Sequence, residues 1–338
     1  MSLTDKYIAG VVQAAPIYLD KEKTIAKSLA LIEEAAQKGV KLLAFPELWC
    51  PGYPWWVWLG GMAWQRQFMI DYFNSAIEVN GPEIQIIKEA AKQYNMIIVF
   101  GYCEREHYTL YISQAIIGSN GEVLLNRRKI KAARTERHIF GEGDGSGLKV
   151  QQTELGRIGA LCCGEHYQPL IKTAMYSQQE QVHIASWPSF SMLRGKAFRT
   201  GPDAAAMASQ LYAVEGQAFT LVSTMVADEL MVNRVCDSPE RREVMTYLGQ
   251  EKSGGRSMIF SPDGEPMCSY EEESFEGVLA AEIDLNMLHY AKTSADTLGH
   301  WARPDIVGLK LDLSSHSTFV VHEEVEALDD KQGADDEK

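Results

Sequence analysis

The chain has 338 residues, of which 46% are hydrophobic, and a formal net charge of −14. This length and apolar content allow one large domain or two ordinary ones with a sizeable buried core. The negative charge argues against nucleic acid or an anionic membrane surface as a partner.

The sequence indicates neither a membrane segment nor a disulfide framework. No stretch approaches the ~20 apolar residues of a membrane helix, and the apolar residues 8–12 run directly into Gln13 instead of a cleavage site. Six cysteines in a chain of this length do not resemble the dense framework of a small secreted domain. We therefore predict reduced thiols, a cytoplasmic location and no membrane partner.

The first half of the chain alternates strand-like and helix-like segments. Predicted strands cover residues 7–12, 41–45, 96–101, 110–117 and 123–126. The last two form a hairpin that turns at residues 119–121. Predicted helices cover residues 25–36, which carry apolar side chains on one face and end before Gly39, and residues 83–93.

The second half continues the alternation. Predicted strands cover residues 157–163, 182–186, 219–224, 258–260 and 278–283, and predicted helices cover residues 168–177 and 204–215. No internal repeat and no Pro-, Gly- or Ser-rich linker divides the chain. The alternation therefore predicts one α/β domain whose helices cover the faces of its sheets.

Three chemically useful side chains stand at predicted strand ends, where loops commonly open onto a cleft. Glu47 follows the strand at 41–45, and burial there would raise its pKa toward that of a general base. Lys129 closes the strand that begins at Val123 and would be a fixed cation beside developing negative charge. Cys163 ends the strand at 157–163 and would become a nucleophile once a partner deprotonates it.

Each of these residues also has an ordinary structural interpretation. A cysteine at a strand end is more often a small core residue, and Glu47 could be a solvated loop acid. The basic run at 127–131 is typical of a solvated face, which would account for Arg127, Arg128 and Lys131. No paired spacing such as H-E-x-x-H or C-x-x-C predicts a metal site, and no phosphate-binding loop is recognisable. Single positions therefore leave the chemistry open.

At these positions the sequence resembles the carbon–nitrogen hydrolases, and within them the nitrilase branch. The family's catalytic Glu, Lys and Cys match Glu47 in FPE, Lys129 in RRKIK and Cys163 in CGEH, and a second family glutamate matches Glu136 in TERHIFGEG. The resemblance spans about residues 7–312 and includes PGYPWW at 51–56, EQVHIASWP at 180–188, AVEGQAF at 213–219 and LGHWARPD at 298–305. Several motifs in order at family spacing make it specific.

The resemblance also separates the two adjacent cysteines. The family pattern Cys-x-Glu-[His/Asn]-x-x-Pro-Leu fits only Cys163, because Gly164 to Leu170 follow it. Cys162 is one residue off, so we expect its side chain on the other face of the sheet, in the core. A dyad of Cys163 and His166 is disfavoured because the family supplies its base from Glu47.

By this resemblance, the chain is expected to hydrolyse an organic nitrile to a carboxylic acid and ammonia without a cofactor. Cys163 would form a thioimidate and then a thioester, Lys129 and the Gly164 N–H would stabilise charge on nitrogen, and Glu47 would transfer the protons. Glu136 would orient Lys129 or water, or serve the structure alone.

Gly164 is where the sequence departs from the family pattern. Many relatives carry tryptophan next to the nucleophile; glycine removes that bulk beside the reacting carbon and frees the backbone. We expect a pocket for bulky arylacetonitriles or 2-substituted nitriles, with some amide released when the thiol leaves before ammonia. Tyr53, first among the aromatic residues at 49–58, and Trp187 are assigned to substrate binding with Gly164; ordinary packing accounts for most of the other aromatic residues.

Other functions stay open at this point. An amidase or carbamoylase and a cyanide-degrading enzyme are the nearest alternatives, on the same fold with the same triad. A scaffold protein is disfavoured because it needs no intact Glu47, Lys129 and Cys163. A redox protein that uses Cys162 with Cys163 is the least favoured.

The resemblance implies a four-layer α-β-β-α sandwich, with two sheets face to face and helix layers outside. We assign residues 1–312 to one carbon–nitrogen hydrolase domain and residues 313–338 to an acidic tail, disordered or involved in assembly. Residues 322–338 hold eight acids and two bases, net −6. Family members pair and nitrilases often extend the pairs into spirals, so a homo-oligomer is expected. Repulsion between acidic tails at low salt makes a dimer or short oligomer as consistent as a spiral.

Overall fold

The computed structural model describes residues 5–189, 193–249, 254–268 and 272–316. Its strands are β1 (Lys6–Ala14), β2 (Val40–Ala44), β3 (Ile97–Glu106), β4 (Thr109–Ile117), β5 (Val123–Arg128), β6 (Gln151–Thr153), β7 (Gly156–Cys162), β8 (Val182–Trp187), β9 (Phe219–Met225), β10 (Met258–Phe260), β11 (Pro266–Cys268) and β12 (Gly277–Asp284). Its α-helices are α1 (Lys21–Gln37), α2 (Met62–Asn74), α3 (Pro82–Tyr94), α4 (Pro169–Tyr176), α5 (Pro202–Gly216), α6 (Glu229–Val235), α7 (Pro239–Tyr247) and α8 (Met287–Ala295).

The strands form two halves of one hydrogen-bonded sheet. The first half has the order β5-β4-β3-β2-β1-β12, and the second has the order β6-β7-β8-β9-β10-β11. The halves meet where Gln13 and Ala14 at the end of β1 pair with Thr224 and Met225 of β9. The strands β1, β2 and β3 are parallel, as are β7, β8 and β9. Their carboxyl ends therefore lie at the same edge, where α/β proteins commonly bind ligands.

The two halves face each other across an apolar core, and helices cover their outer faces. The core between the halves includes Val11, Leu42 and Val99 from the first and Ile158, Ile184 and Leu221 from the second. Outside the first half, α1 and α3 bury Ile25, Ile32, Ile84 and Ile87. Outside the second half, α4 and α5 bury Met175, Ala205, Tyr212 and Ala213. The predicted α-β-β-α sandwich is confirmed.

The helices predicted from periodicity are confirmed as α1, α3, α4 and α5. Local signals fix their ends: the Asp20 side chain accepts a hydrogen bond from the N–H of Lys23 at the start of α1, and Asn95 takes a left-handed φ of 48° at the end of α3. The helix α2 was not predicted, because only Phe68 and Tyr72 of its 13 residues are buried and no apolar stripe marks it. Within the described ranges, no helix is both long and apolar enough to cross a membrane.

The predicted strand at 157–163 is one residue too long. The strand β7 ends at Cys162, and Cys163 begins a 3-10 turn, Cys163–Tyr167, with a left-handed φ of 43°. This conformation costs a residue with a Cβ about 1–2 kcal/mol. Cys163 is thus a turn residue at the carboxyl edge of the sheet, held in an unfavourable backbone conformation by its surroundings.

The division of the chain into residues 1–312 and an acidic tail stays a prediction. The tail beyond residue 316 lies outside the described residues.

Candidate active site

Three of the predicted site residues meet in one buried cluster. Glu47 follows β2, Lys129 follows β5, and Glu136 lies on the 3-10 turn Arg134–His138. The Lys129 Nζ donates to Glu47 Oε1 at 2.8 Å and to Glu136 Oε2 at 3.0 Å, and all three side chains are at most 3% exposed. The fold therefore brings Glu47, which is 82 residues away in sequence, to Lys129 and to Glu136, which follows Lys129 by seven residues.

The fourth predicted residue, Cys163, lies beside this cluster and is partly exposed. Burial raises the pKa of its thiol well above the usual value, and the charge of Glu47 raises it further, while Lys129 and a hydrogen bond from the Gly164 N–H oppose the rise. The resting thiol therefore keeps its proton, and nucleophilic attack needs a base.

Glu47 has the properties of that base. Burial raises its pKa from 4.5 to about 8; the charge of Lys129 lowers it, and that of Glu136 raises it. Its Oε1 accepts from Lys129, whereas its Oε2 is buried and has no hydrogen-bond partner among the described residues. A buried oxygen without a donor is costly unless something protonates it or binds to it, so Oε2 is the atom available to receive a proton.

Lys129 is held as a cation. Burial alone lowers its pKa, but the charges of Glu136 and Glu47 outweigh burial and hold the pKa well above its ordinary value. Glu136 is itself fixed, since it also accepts from the Ala133 N–H at 2.7 Å and the Tyr53 hydroxyl at 3.3 Å. Lys129 therefore supplies a rigidly positioned positive charge.

The prediction that Arg127 belongs to a solvated face is wrong. Its side chain is fully buried, and its Nη2 donates to both Glu165 carboxylate oxygens, at 2.7 and 2.9 Å. Because side chains alternate along a strand, Arg127 points inward from β5 while Arg128 points the other way, is partly exposed and pairs with Glu104 and Glu106. Lys131 is half exposed, as expected.

Glu165 has a structural role that the sequence did not reveal. Besides the two bonds from Arg127, it accepts from the N–H of Cys162 at 2.7 Å and from that of Ile130 at 2.9 Å. Burial alone raises its pKa, but Arg127 and these donors outweigh burial and hold the pKa below its usual value. Glu165 therefore clamps the turn that carries Cys163 to the chain directly after Lys129.

A buried polar network extends from this clamp to Glu47. The Arg127 Nη1 donates to Gln114 Oε1 at 2.7 Å, and Gln114 Nε2 donates to Ser186 Oγ at 2.9 Å. Ser186 Oγ donates in turn to the carbonyl of Phe45 at 2.9 Å, two residues before Glu47. Hydrogen-bonded side chains thus connect the segments that carry Glu47, Lys129 and Cys163, which fixes their relative positions.

A cavity of about 350 Å³ opens beside Cys163. All three residues that we assigned to substrate binding, Gly164, Tyr53 and Trp187, line it. Trp58, another of the aromatic residues at 49–58, also lines the cavity; Tyr167 and the positively charged Arg134 and Arg199 line it as well and were not predicted. The remaining aromatic residues of the segment, Trp49, Trp55 and Trp56, are at most 2% exposed and pack in the core, as expected.

Gly164 does not use the conformational freedom of glycine. Its φ lies outside the left-handed region, which Cys163 occupies instead, and a Cβ built on it would meet no atom within 4 Å. Any residue could therefore adopt this backbone, and its side chain would enter open space next to the thiol. Glycine at this position leaves room in the cavity, but the turn itself does not require a glycine here.

The two nitrogens of His166 are both occupied away from the thiol. Nδ1 lies 2.9 Å from the carbonyl oxygen of Cys163, and Nε2 lies 3.0 Å from Nε2 of His183. This geometry agrees with the expectation that His166 is not the base. In the part of the chain that the structure describes, no group of three or more His, Cys, Asp or Glu side chains could hold a metal ion.

Comparison with known proteins identifies similar chains. Residues 8–293 match the carbon-nitrogen hydrolase family. The chain is 43% identical over 298 residues to a nitrilase of Pseudomonas syringae pv. syringae, covering 88% of this chain and 87% of that one. It is 38% identical over 318 residues to an aliphatic nitrilase of Rhodococcus rhodochrous, covering 94% and 82%. Its fold resembles the crystal structure of a carbon-nitrogen hydrolase from Helicobacter pylori, with a TM-score of 0.71 at 19% identity over 89% of this chain and 96% of that one.

Proposed function

This chain belongs to the carbon–nitrogen hydrolase family and hydrolyses carbon–nitrogen bonds, and from that premise we propose that it is a nitrilase whose products are a carboxylic acid and ammonia. One observation carries the proposal: the partly exposed Cys163 thiol lies beside the buried Lys129 and the buried Glu47, whose Oε2 has no hydrogen-bond partner among the described residues. Addition to a nitrile needs these groups, because the attacking sulfur must lose a proton while the nitrogen gains negative charge and then a proton.

In the first half of the proposed reaction, the thiol adds to the nitrile. Glu47 takes the proton of the Cys163 thiol as sulfur bonds to the nitrile carbon. Lys129 and the Gly164 N–H stabilise the charge on nitrogen, and Glu47 then passes its proton to that nitrogen. The product is a covalent thioimidate on Cys163.

In the second half, two water molecules complete the hydrolysis. Glu47 takes a proton from the first water, whose oxygen adds to the thioimidate carbon, and gives this proton to the nitrogen. The remaining hydroxyl proton then moves to the same nitrogen through Glu47, the carbon–nitrogen bond breaks, and ammonia leaves as the thioester carbonyl forms. The second water then attacks the resulting thioester in the same way, the carbon–sulfur bond breaks, and the thiol regains its proton. If carbon–sulfur cleavage precedes carbon–nitrogen cleavage, the product is an amide. Throughout, Glu136 acts by holding Lys129.

A matched pair of substrates tests this proposal against its nearest alternatives. The enzyme should release ammonia and acid from a nitrile faster than from the amide of the same acid, and nitrile turnover should block alkylation of Cys163 by iodoacetamide. Hydrolysis of the amide or an N-carbamoyl compound alone would make the protein an amidase or carbamoylase. Hydrolysis of cyanide but no organic nitrile would make it a cyanide-degrading enzyme.

The pH dependence of kcat/KM should report Glu47. Since burial raises its pKa from 4.5 to about 8, and only the ionised form accepts the thiol proton, kcat/KM should fall about tenfold per pH unit below 8. Measuring initial rates at constant ionic strength on both sides of that pH checks this. An acid limb near 4.5, the ordinary value of a glutamate, would contradict the role of Glu47 as the base.

Gly164→Trp should narrow the substrate range. The new side chain would enter the open space beside Cys163, so we expect turnover of a 2-substituted arylacetonitrile to fall by about tenfold or more, with a smaller amide fraction, while a small aliphatic nitrile loses less. Gly164→Ala is the matched control, because its Cβ meets no atom within 4 Å. An unchanged substrate range and amide fraction in Gly164→Trp would refute the proposed preference for bulky nitriles.

We further propose a cytoplasmic homo-oligomer, a dimer or larger. Within the described residues, Cys50, Cys103, Cys162, Cys163 and Cys268 form no disulfide, as a reducing compartment requires. Met207, Leu211 and Val214 lie on one face of α5 with at least 44% of each residue exposed, a pattern typical of a face that packs on a partner. Light scattering and electron microscopy would distinguish a monomer, a dimer and a spiral.

A further inference from the structure

A buried chain of hydrogen bonds, which the proposed mechanism does not use, leads to the backbone of Cys163. It runs from Tyr212 to Glu180, His183 and His166, all at most 1% exposed. The Tyr212 hydroxyl donates to Glu180 Oε2 at 2.6 Å, Glu180 Oε1 lies 2.8 Å from His183 Nδ1, and the Nε2 atoms of His183 and His166 are 3.0 Å apart. His166 Nδ1 completes the chain at 2.9 Å from the Cys163 carbonyl oxygen.

The surroundings of this chain are shaped to hold it. The His166 ring stacks on Trp187 at a centroid distance of 5.3 Å, and the His183 ring stacks on Tyr212 at 3.6 Å. A Cβ at Gly159 of β7 would overlap the Glu180 carboxyl group, so the glycine makes room for that carboxyl. Neither ring can turn without losing its stacking partner, and each nitrogen therefore keeps its neighbour.

The carbonyl oxygen of Cys163, at the end of this series of hydrogen bonds, determines where each proton of the series lies. A carbonyl oxygen can only accept, so His166 must donate from Nδ1 and, as a neutral ring, accept at Nε2. His183 must then donate from Nε2. The contact between His183 Nδ1 and Glu180 Oε1 needs one more proton, carried by either group.

Burial places that proton on Glu180. It raises the pKa of Glu180 to about 8, while a hydrogen bond from Tyr212 and the charge of Lys292 lower it. It also lowers the pKa of His183 well below its usual value, with the charge of Arg127 acting in the same direction. Both shifts favour a neutral acid facing a neutral imidazole over a buried ion pair.

We propose that Glu180, His183 and His166 are positioning residues that hold the Cys163 carbonyl, and with it the left-handed turn of the nucleophile, and that loss of the Glu180 proton releases this hold. The inference rests on the proposed role of Cys163. By this proposal, the protonation state of Glu180 controls the active site as the pH changes. Glu180 precedes His183 by three residues in the sequence and lies outside the substrate cavity.

After Glu180 loses its proton, no arrangement of the remaining protons satisfies every hydrogen bond of this series. An ionised Glu180 attracts the His183 proton to Nδ1, which turns His183 Nε2 into an acceptor facing His166. If His166 then donates from Nε2, its Nδ1 lone pair faces the Cys163 oxygen. Each rearrangement moves the missing hydrogen bond nearer to Cys163. The other groups that face the carboxyl are Tyr212 of α5, Tyr176 of α4 and Lys292 of α8; burial raises the pKa of both tyrosines well above the range in which Glu180 ionises.

Glu180→Gln isolates the proton from the shape of the side chain. A glutamine amide donates to His183 and accepts from Tyr212 as the protonated acid does, but it cannot ionise. In the wild type, an alkaline limb should lower kcat by about tenfold in all as the pH rises through 8 and should then level off, because ionisation of Glu180 costs one hydrogen bond; in Glu180→Gln this alkaline limb should be absent. An alkaline limb at the same pH in both proteins, with matched thermal stability, would overturn the proposal.

Two substitutions of His166 separate the effect of its hydrogen bond to the Cys163 carbonyl from the effect of its packing. Asparagine places its amide nitrogen near the position of Nδ1 and keeps the donor to the Cys163 carbonyl, whereas glutamine reaches the position of Nε2 and contacts His183 instead. We expect His166→Gln to lose on the order of tenfold in kcat, as one hydrogen bond is worth, with KM nearly unchanged. His166→Asn should lose less and should no longer show the limb set by Glu180. Equal losses in both variants would overturn the proposal.

Nitrogen NMR of the full-length, ¹⁵N-histidine-labelled protein tests the proton pattern without any substrate. His166 should be the Nδ1–H tautomer and His183 the Nε2–H tautomer at neutral pH, with both patterns changing near pH 8 in the wild type but not in Glu180→Gln. The opposite tautomers would overturn the proposed pattern of hydrogen bonds even if the protein is an active nitrilase. The expected tautomers in a protein that hydrolyses no nitrile would leave this pattern standing and refute the proposed function alone.

Discussion

Cys163→Ser is expected to lower kcat by roughly 10⁴- to 10⁶-fold, the loss typical of removing a nucleophile. A hydroxyl is a much weaker nucleophile than a thiol, and Glu47, with a pKa raised only to about 8, cannot deprotonate it appreciably. Because the two side chains are similar in size and the turn is set by the backbone contacts of Glu165 and His166, the variant should keep its fold. Ammonia release from a nitrile and circular dichroism measure the two properties separately.

Cys162→Ser is the matched control for that loss. Cys162 is fully buried, its pKa is raised well above the usual value mainly by burial, and its sulfur lies 3.8 Å from Arg127 Nη1. It is not among the residues that line the cavity. The control should therefore retain kcat within about threefold while changing stability only modestly. Loss of activity in Cys162→Ser with activity retained in Cys163→Ser would reverse the assignment.

The sequence predicts the meeting of the site residues because it predicts where strands end. Alternating strands and helices imply parallel strands, and parallel strands place their carboxyl ends at one edge. Glu47 and Cys163 follow such ends, Lys129 follows β5, which runs in the same direction as β3 because both pair antiparallel with β4, and the structure places all three together. What periodicity could not fix is the last residue of β7, because the left-handed φ of Cys163 depends on contacts from outside the strand.

The interactions that hold the site were not predictable from local patterns. Arg127 and Glu165 are 38 residues apart in sequence, and a run of basic residues looks the same whether one member is buried or all are solvated. Only the inward direction of alternate side chains on β5 distinguishes Arg127 from Arg128. Glu165 and His183 lie in recognisable sequence motifs, but their roles depend on partners that only the fold brings next to them.

The second large effect is expected on stability. Arg127→Met should lower the free energy of unfolding by about 3–5 kcal/mol, because it leaves the Glu165 charge buried with two backbone donors and no counter-ion. Urea unfolding of the wild type and the variant measures the difference. Lys131→Met, which removes a half-exposed cation paired with Glu142, is the control and should change the free energy of unfolding by no more than about 0.5 kcal/mol.

The pH dependence of this difference identifies its cause. In the wild type, Arg127 and the backbone donors hold the pKa of Glu165 below its usual 4.5, so the pair stabilises the fold above that pH and the stabilisation is lost as the pH falls through the lowered value. Without Arg127, burial should raise the pKa of Glu165. The folded variant then takes up a proton as the pH falls from neutral toward 4.5, which the unfolded chain does not yet do, so its deficit should shrink over that range. A deficit that is independent of pH would assign the loss to packing of the arginine side chain. A deficit that shrinks on acidification would assign the loss of stability to the unpaired charge of Glu165. It would also support the role of the Arg127–Glu165 pair in holding the Cys163 turn against the segment after Lys129.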